Sequence, residues 1–191
     1  MPELLPTTLQ TERLTLRPIA QGDAPALFAI FSDPEVVRYW SRGVWTDIAQ
    51  AEDMIAAAAR DYEDGSGLRY GIVITATSEL VGVASLFAFN RDNRRCDIGY
   101  VLGSRHWNHG YVSEALVPVL EHAFGALGMN RIEADIDPRN IASGRVLEKL
   151  AFRREGTMPE RWFVNGETAD TAFYGLIKRY WDERSSADTA A

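Results

Sequence analysis

Seven short segments of the chain have the pattern of β-strands. In segments 12–19 and 131–137 apolar and polar residues alternate, and this two-residue period is typical of a β-strand with one buried face. Together with short strand-like runs elsewhere, the pattern predicts strands over residues 12–19, 69–77, 80–89, 96–102, 131–137, 155–164 and 168–177. Only two residues separate the second strand from the third, and residues 165–167 (Asn-Gly-Glu) separate the last two, so both pairs are expected to form β-hairpins.

A period of three to four residues marks the helical segments between these strands. Residues 47–67 carry apolar side chains at this spacing and end at two glycines, which predicts an amphipathic helix. Asp23 is expected to cap the first helix, Asn140 the last, and Pro118 to kink the helix over 110–128. The other helical segments are 24–33, 34–40 and 138–152.

The order of these elements defines the fold class. Hairpins require antiparallel pairing, whereas the strand, helix and strand over residues 95–137 favour a crossover between parallel strands. The class is therefore α/β with a mixed sheet. At 191 residues the chain suits one compact domain, for which we expect residues 1–181, followed by a flexible tail over 182–191.

Composition and charge narrow the range of functions. The formal net charge of −7, from 20 Lys and Arg against 27 Asp and Glu, argues against nucleic acid as a partner, because neutralising phosphates needs a basic face. The single cysteine, Cys96, fits a reducing compartment and is expected to be a small buried apolar side chain. The chain has neither a secretory leader pattern nor an apolar run of about 18 residues, so we expect no membrane contact and a soluble, cytoplasmic protein.

Segment 105–116 (RHWNHGYVSEAL) concentrates polar side chains between the fourth predicted strand and a helix. Its histidines, His106 and His109, are too few for a zinc site, since the only other histidine is His122 and no cysteine pair exists. No metal is expected. An anion site is favoured, because a turn with Gly110 at a helix start leaves unpaired backbone N–H groups at the positive end of the helix dipole. Many strand-to-helix turns with one glycine bind nothing, so spacing alone leaves this question open.

Two motifs in this part of the chain resemble a known family. Residues 97–116 (DIGYVLGSRHWNHGYVSEAL) are similar to the acetyl-CoA-binding motif of the GNAT superfamily of N-acetyltransferases, in which an acidic-Ile-Gly-Tyr strand precedes Gln/Arg-x-x-Gly-x-Gly/Ala at a helix start. Residues 140–156 (NIASGRVLEKLAFRREG) resemble the superfamily's second cofactor motif. The segments TERLTLRPI and GETADTAFYGL extend the resemblance over residues 10–180, and it is strongest to the branch of ribosomal-protein N-terminal acetyltransferases.

The resemblance implies a single-domain GNAT-like fold with a mixed, mostly antiparallel, twisted sheet and helices on both faces. It also implies acetyl-CoA as co-substrate, with pantetheine beside strand residues 100–102, pyrophosphate in the turn that follows, and a backbone N–H of the strand on the acetyl oxygen. The implied cofactor contacts are Tyr100, Val101, Leu102, Arg105, Asn108, His109, Gly110, Tyr111, Val112, Asn140 and Ser143.

Three positions depart from the family pattern. Asn108 stands at the first glycine of the phosphate turn, where asparagine tolerates left-handed backbone better than most residues. Ala151 replaces the glycine of a Leu-Gly-Phe turn. A tyrosine that often protonates the departing thiolate, seven residues after the motif asparagine, is Leu147 here, so this role needs another donor.

Three residues are candidates for catalysis. Ser143 occupies the position at which this branch carries a serine proposed to meet the leaving sulfur. For the general base, Asp97 is the acidic residue of the central strand, and Glu160 lies on a tail strand expected to border the substrate cleft. Each side chain could equally be a solvated or capping group.

The acceptor is expected to be a primary amine. The pKa of an α-amine is about 8 and that of a lysine side chain about 10.4, so at neutral pH the α-amine is already partly unprotonated. A site without an obvious strong base therefore favours an α-amine, such as a protein N-terminus. The alternatives are a small-molecule amine (an amino acid, polyamine or aminoglycoside) and a non-catalytic acyl-CoA-binding module. Trp40, Trp107 and Trp162 are candidates for the walls of the site, although tryptophans are more common in a core. Tyr174 is expected to lie in the core, and a homodimer is compatible with the family.

Overall fold

An eight-stranded sheet forms the centre of the part of the chain that the computed structural model describes, residues 7–164 and 166–189. The strands are β1 (Leu9–Gln10), β2 (Leu14–Pro18), β3 (Leu68–Ile74), β4 (Glu79–Asn90), β5 (Arg95–Leu102), β6 (Arg131–Ile136), β7 (Arg153–Val164) and β8 (Glu167–Ile177). They lie in the order β1, β2, β3, β4, β5, β6, β8, β7, and every neighbouring pair is antiparallel except β5 and β6. The mixed, mostly antiparallel sheet and both hairpins are confirmed. Strand β1 was not predicted, because two residues are too few to show a period.

Five of the six α-helices of the described residues lie within the predicted helical segments, and the sixth, at the C-terminal end, was not predicted. They are α1 (Ala24–Phe31), α2 (Pro34–Val37), α3 (Ala49–Asp64), α4 (Tyr111–Phe124), α5 (Ile141–Lys149) and α6 (Lys178–Thr189). Helix α4 contains Pro118 and stops four residues before Gly128, because the backbone leaves helical geometry at Gly125. No helix among the described residues is long and apolar enough to cross a bilayer.

One expectation about a helix end is wrong. Asp23 stands at the N-terminus of α1 but does not cap it, because its carboxylate accepts hydrogen bonds from Arg17 (2.7 and 2.8 Å) and from the Ala20 N–H (2.7 Å). Residues 182–189 of the expected tail lie in α6, and the flexibility of this segment stays a prediction. Residues 1–6, 165 and 190–191 lie outside the described part, so Asn165 of the second hairpin and the end of the expected tail cannot be compared with it.

Apolar side chains cover both faces of the sheet. On one face α4, α5 and α6 pack on alternate strand residues such as Leu16 and Ile98, and on the other α1, α2 and α3 pack on residues such as Val83 and Val101. The expected arrangement of helices on both faces is confirmed. Cys96 is fully buried in the first core, and burial raises the pKa of its thiol to about 12, so it is the inert apolar side chain that the sequence predicted.

The parallel pair β5 and β6 is joined through α4, as the crossover prediction required. Hydrogen-bonded pairing joins only residues 95–97 to residues 131–133, although β5 continues to Leu102 and β6 to Ile136. The two strands therefore diverge, and the edge of residues 98–102 that faces β6 has no strand partner among the described residues.

Candidate functional site

A cleft of about 1000 Å³ opens where β5 and β6 diverge. Residues 98–102 of β5 and Ala134 of β6 line it, and so do the three tryptophans for which the sequence left a wall or a core position open, Trp40, Trp107 and Trp162. Nine of the predicted cofactor contacts also line it: Tyr100, Val101, Leu102, Asn108, Gly110, Tyr111, Val112, Asn140 and Ser143. Two segments that are about 40 residues apart in the sequence therefore meet at one cleft, as the two motifs predicted.

The N-terminus of α4 forms one end of this cleft. Gly110 precedes the helix, and no described side chain caps it. The first helical hydrogen bond runs from the Glu114 N–H to the Gly110 carbonyl oxygen (3.0 Å), so the N–H groups of Tyr111, Val112 and Ser113 find no acceptor among the described residues. With the helix dipole, these groups form a site of the kind that holds phosphate or pyrophosphate.

The turn before α4 requires left-handed backbone at two residues. Gly110 has a φ of 77° and Asn108 a φ of 63°. The left-handed region is costly for most residues, but glycine adopts it freely and asparagine more readily than most. Asn108 therefore preserves the turn geometry at a position where the family carries glycine.

Ala151 also adopts left-handed backbone, with a φ of 67°. It ends α5 in a turn in which the Ala151 N–H donates to the Glu148 carbonyl and the Phe152 N–H donates to the Leu147 carbonyl, both over 3.0 Å. This is the Schellman arrangement, in which glycine is the preferred residue. The alanine keeps the shape of the family turn at the expense of backbone strain.

Asn140 immediately precedes α5 at the opposite wall of the cleft. Its side-chain oxygen accepts a hydrogen bond from the Ser143 N–H (3.1 Å), so the predicted cap is confirmed. This bond leaves the side-chain NH₂ group of Asn140 as a donor at the cleft wall.

The hydroxyl groups of Tyr100 and Ser143 lie 2.7 Å apart. The Tyr100 hydroxyl is also 3.2 Å from the Ser143 carbonyl oxygen. Burial raises the pKa of Tyr100, so the phenol stays protonated near neutral pH, although the hydrogen bond with Ser143 opposes this effect. When Tyr100 donates to Ser143 Oγ, the proton of Ser143 is left free to point into the cleft. Sequence reasoning assigned only the strand backbone of Tyr100 to the site and missed its hydroxyl.

Asp97 lies at the last residue pair before β5 and β6 diverge, opposite Glu133. Burial raises the pKa of the Asp97 carboxyl to about 6, and the nearby carboxylates of Glu133 and Asp135 act in the same direction. Its Oδ1 atom is buried and has no hydrogen-bond partner among the described residues. Asp97 can therefore take up a proton near neutral pH, although Asp135, and not Asp97 itself, lines the cleft.

Besides Asp97, three predicted site residues lie outside the cleft. Glu160 is exposed at an irregular point of β7, where its φ is 49°, and its backbone N–H donates to Asp170 Oδ1 (2.9 Å). Arg105 is exposed in a short 3₁₀ turn after β5. His109 is also exposed, with its ring stacked on Tyr111 at 5.7 Å between centroids. The structure does not bring these three side chains together with the other predicted residues.

Charged side chains of the cleft wall were not predicted. Asp135 and Arg145 line the cleft, as do Asp137 and Arg139, which form an ion pair of 2.6 Å. In the sequence, only the alternating acidic residues of segment 131–137 (RIEADID) indicated a charged wall. The other charged residues of the wall come from separate elements, so no local pattern joins them. Among the described residues, no group of three or more His, Cys, Asp or Glu side chains is arranged to hold a metal ion.

A mixed sheet opened between two parallel strands, with an uncapped helix N-terminus at the opening, defines an acyl-CoA-dependent transferase of the GNAT type. Residues 13–153 match the family model described as the acetyltransferase (GNAT) domain, and the chain belongs to this family. The sequence-based prediction of an N-acetyltransferase is confirmed at this level, and GNAT acetyltransferases use acetyl-CoA.

Individual relatives extend over nearly the whole chain. The uncharacterized N-acetyltransferase p20 of Bacillus licheniformis is 37% identical over 172 residues, which cover 90% of this chain and 97% of p20. Spermidine N(1)-acetyltransferase of Vibrio cholerae serotype O1 is 21% identical over 173 residues, covering 91% and 98%. The structure of Mycobacterium smegmatis RimJ in complex with CoA-disulfide has the same fold, with a TM-score of 0.85 at 24% identity and coverage of 98% of each chain.

Proposed function

We propose that this protein transfers the acetyl group of acetyl-CoA to the α-amine of a peptide or protein N-terminus. One observation carries the proposal: β5 and β6 diverge beside an uncapped helix N-terminus, so an unpaired strand edge and unpaired amides face the same cleft of the described chain. The strand edge suits the amide groups of pantetheine, and the helix N-terminus suits pyrophosphate.

The residues of the cleft fit acetyl-CoA along its length. The N–H groups of residues 111–113 would hold the pyrophosphate, and the edge of residues 98–102 would pair with pantetheine, which the Asn140 side chain would also bind. Bound there, acetyl-CoA supplies an activated thioester whose sulfur departs as a thiolate. A backbone N–H of β5 would donate to the acetyl oxygen, where negative charge develops.

Two side chains manage protons in this proposal. The new bond joins the amine nitrogen to the acetyl carbon, and the bond from that carbon to sulfur breaks. Ser143, held by Tyr100, gives its hydroxyl proton to the sulfur and is reprotonated from solvent. Asp97, which does not line the cleft itself, takes up through one water molecule the proton that the amine loses and releases it to solvent. A carboxyl pKa of about 6 suits Asp97 for this role. Glu160 is not given a role, because it is exposed on β7, away from the divergence of β5 and β6.

One consideration favours an α-amine as the acceptor. No strong base lines the described cleft, and an α-amine, with a pKa of about 8, is already partly unprotonated at neutral pH. A polyamine is the second candidate, because one relative bears the name spermidine N(1)-acetyltransferase. The same proposal places the protein in the cytoplasm, where its single buried thiol fits.

A free-thiol release assay tests the proposal. Acetyl-CoA is incubated with the protein and with a panel of N-terminal peptides, polyamines, amino acids and aminoglycosides. Thiol release that depends on peptides with a free α-amine, and not on N-acetylated versions of the same peptides, is the expected result. Release with polyamines alone would move the acceptor to the second candidate. Binding of acetyl-CoA without release for any amine would indicate a non-catalytic acyl-CoA-binding module.

Gly110→Val tests the cofactor half separately. A β-branched side chain at a φ of 77° distorts the turn that presents the amides, so acetyl-CoA affinity should fall severely. Gly128→Val is the matched control, because Gly128 has a similar φ of 65° and open space around it, away from the cleft. Both variants should lose similar stability, and only the first should lose affinity. Equal affinities would contradict the proposed pyrophosphate site.

A further inference from the structure

Arg13, which immediately precedes β2, makes a network of contacts with the first turn of α4, about 100 residues away in the sequence. Its Nε donates to Glu114 Oε2 (2.7 Å), Nη2 lies 2.6 Å from the same oxygen, and its backbone N–H donates to Glu114 Oε1 (3.0 Å). The Thr11 hydroxyl adds a bond of 2.5 Å to Oε1. Together these polar groups hold one carboxylate at the start of the helix.

The same guanidinium group reaches the phosphate turn itself. Nη2 of Arg13 donates to the carbonyl oxygen of His109 (3.1 Å), and the guanidinium carbon lies 4.7 Å from the centre of the Tyr111 ring. His109 and Tyr111 flank Gly110, the left-handed residue of the turn. Arg13 thus holds both neighbours of Gly110, the residue whose backbone sets the direction of the free N–H groups at the start of α4.

The charges explain why an arginine is needed at this place. Glu114 lies one residue after the three free amides, so an uncompensated carboxylate there would repel a bound phosphate. Arg13 neutralises it, and its planar fork can contact the carboxylate and the His109 carbonyl together. A lysine could supply the charge but not both directed contacts.

We infer that Arg13 is a positioning residue for the pyrophosphate of the cofactor: it holds the turn around Gly110 so that the N–H groups of residues 111–113 converge on one anion. This inference rests on the proposed cofactor site. It assigns a role in that site to the N-terminal segment of the chain, which does not line the cleft.

Two acetyl donors, one with the pyrophosphate and one without it, test the inference. In Arg13→Gln, the dissociation constant of CoA, measured by calorimetry, should rise about tenfold, in line with the loss of oriented amides at a helix N-terminus. The kcat/KM for acetyl-CoA should fall to the same extent, whereas kcat/KM for S-acetylpantetheine, which lacks the pyrophosphate, should change less than about twofold. A merely structural role would lower both.

Companion variants separate geometry from charge. Arg13→Lys should bind CoA with intermediate affinity, and Arg13→Gln combined with Glu114→Gln should remain weak, because removing the carboxylate does not restore the contact with His109. Arg94→Gln is the matched control, since Arg94 also donates to a loop carbonyl, that of Gly128 (2.8 Å), but at the other end of α4. It should bind CoA like the wild type.

Three results would overturn the inference: unchanged CoA affinity in Arg13→Gln, equal losses with both donors, or full recovery in the double variant, which would attribute the effect to charge alone. Failure of the proposed cofactor site is distinguishable, because in that case the wild-type protein itself would not bind CoA. Failure of the proposed acceptor would leave CoA binding and its dependence on Arg13 intact.

Discussion

Replacing Tyr100 with phenylalanine removes one hydroxyl group from the cleft and leaves the ring in place. The substitution abolishes the hydrogen bonds of this hydroxyl to Ser143 Oγ (2.7 Å) and to the Ser143 carbonyl oxygen (3.2 Å). A hydrogen bond between neutral groups contributes about 0.5–1.5 kcal/mol net, so kcat should fall by about twofold to tenfold if Tyr100 orients Ser143. Acetyl-CoA affinity should stay near that of the wild type, because Ser143 is the hydrogen-bond partner of this hydroxyl within the described chain.

Ser143→Ala removes the proposed proton donor itself. General acid catalysis contributes about 10²–10⁴ in rate, so kcat should fall by at least about a hundredfold. Because Tyr100 acts through Ser143 in this account, the double variant should be no slower than Ser143→Ala alone. The coupling energy between the two substitutions should then equal the whole effect of Tyr100→Phe.

Thiol release at saturating acetyl-CoA and amine gives kcat for this cycle, and calorimetry gives the CoA affinity. Tyr174→Phe is the matched control. Tyr174 is also buried, and its hydroxyl lies close to α5 at Gly144, the residue after Ser143: a Cβ added to Gly144 would be 3.1 Å from this hydroxyl. Ser143 bonds to the Tyr100 hydroxyl instead, so the turnover of Tyr174→Phe should be unchanged. Multiplicative losses in the double variant would refute the idea that Tyr100 acts through Ser143.

Three further outcomes follow from backbone geometry and charge. Ala151→Gly should raise the unfolding temperature by about 1–4 °C. The reason is that relief of about 1–2 kcal/mol of left-handed strain exceeds the entropic cost of ordering a glycine, about 0.5–1 kcal/mol. The control Ala59→Gly, in the exposed interior of α3, should lower the unfolding temperature. Asn108→Gly should keep acetyl-CoA affinity in a calorimetric titration and Asn108→Val should lose it, since valine disfavours a φ of 63°; equal affinities would contradict a requirement for left-handed backbone. The folded-state pKa of Asp97, about 6, exceeds the unfolded value of about 3.9, so the native state binds more protons in between and loses stability as pH rises through this window. Urea unfolding should therefore show Asp97→Asn gaining stability relative to the wild type between about pH 4 and pH 6, and a pH-independent difference would count against the raised pKa.

Local features of the fold could be predicted from the sequence. The alternation in segment 12–19, the glycines after α3 and the asparagine before α5 act over a few residues, so their consequences are visible without the tertiary structure. The motif around Gly110 predicted the turn before α4 for the same reason. The family resemblance then named the anion, pyrophosphate, that this turn is proposed to bind.

Contacts between distant segments could not be predicted in this way. Nothing in the sequence links Tyr100 to Ser143 or Arg13 to Glu114, because each contact depends on how strands and helices pack. Glu160 illustrates the opposite error. Its strand was correctly predicted, but residues 153–163 of β7 are all exposed and Glu160 does not line the cleft, which the pattern of residues does not reveal.

The most direct test of the central claim is to follow the backbone amide resonances of the protein by NMR during a titration with CoA. The account predicts that the N–H signals of Tyr111, Val112 and Ser113 shift together and exchange more slowly with solvent as the pyrophosphate binds, with smaller changes along residues 98–102 of β5. A saturable titration in which these three amides keep their free positions, while another surface responds, would contradict the account.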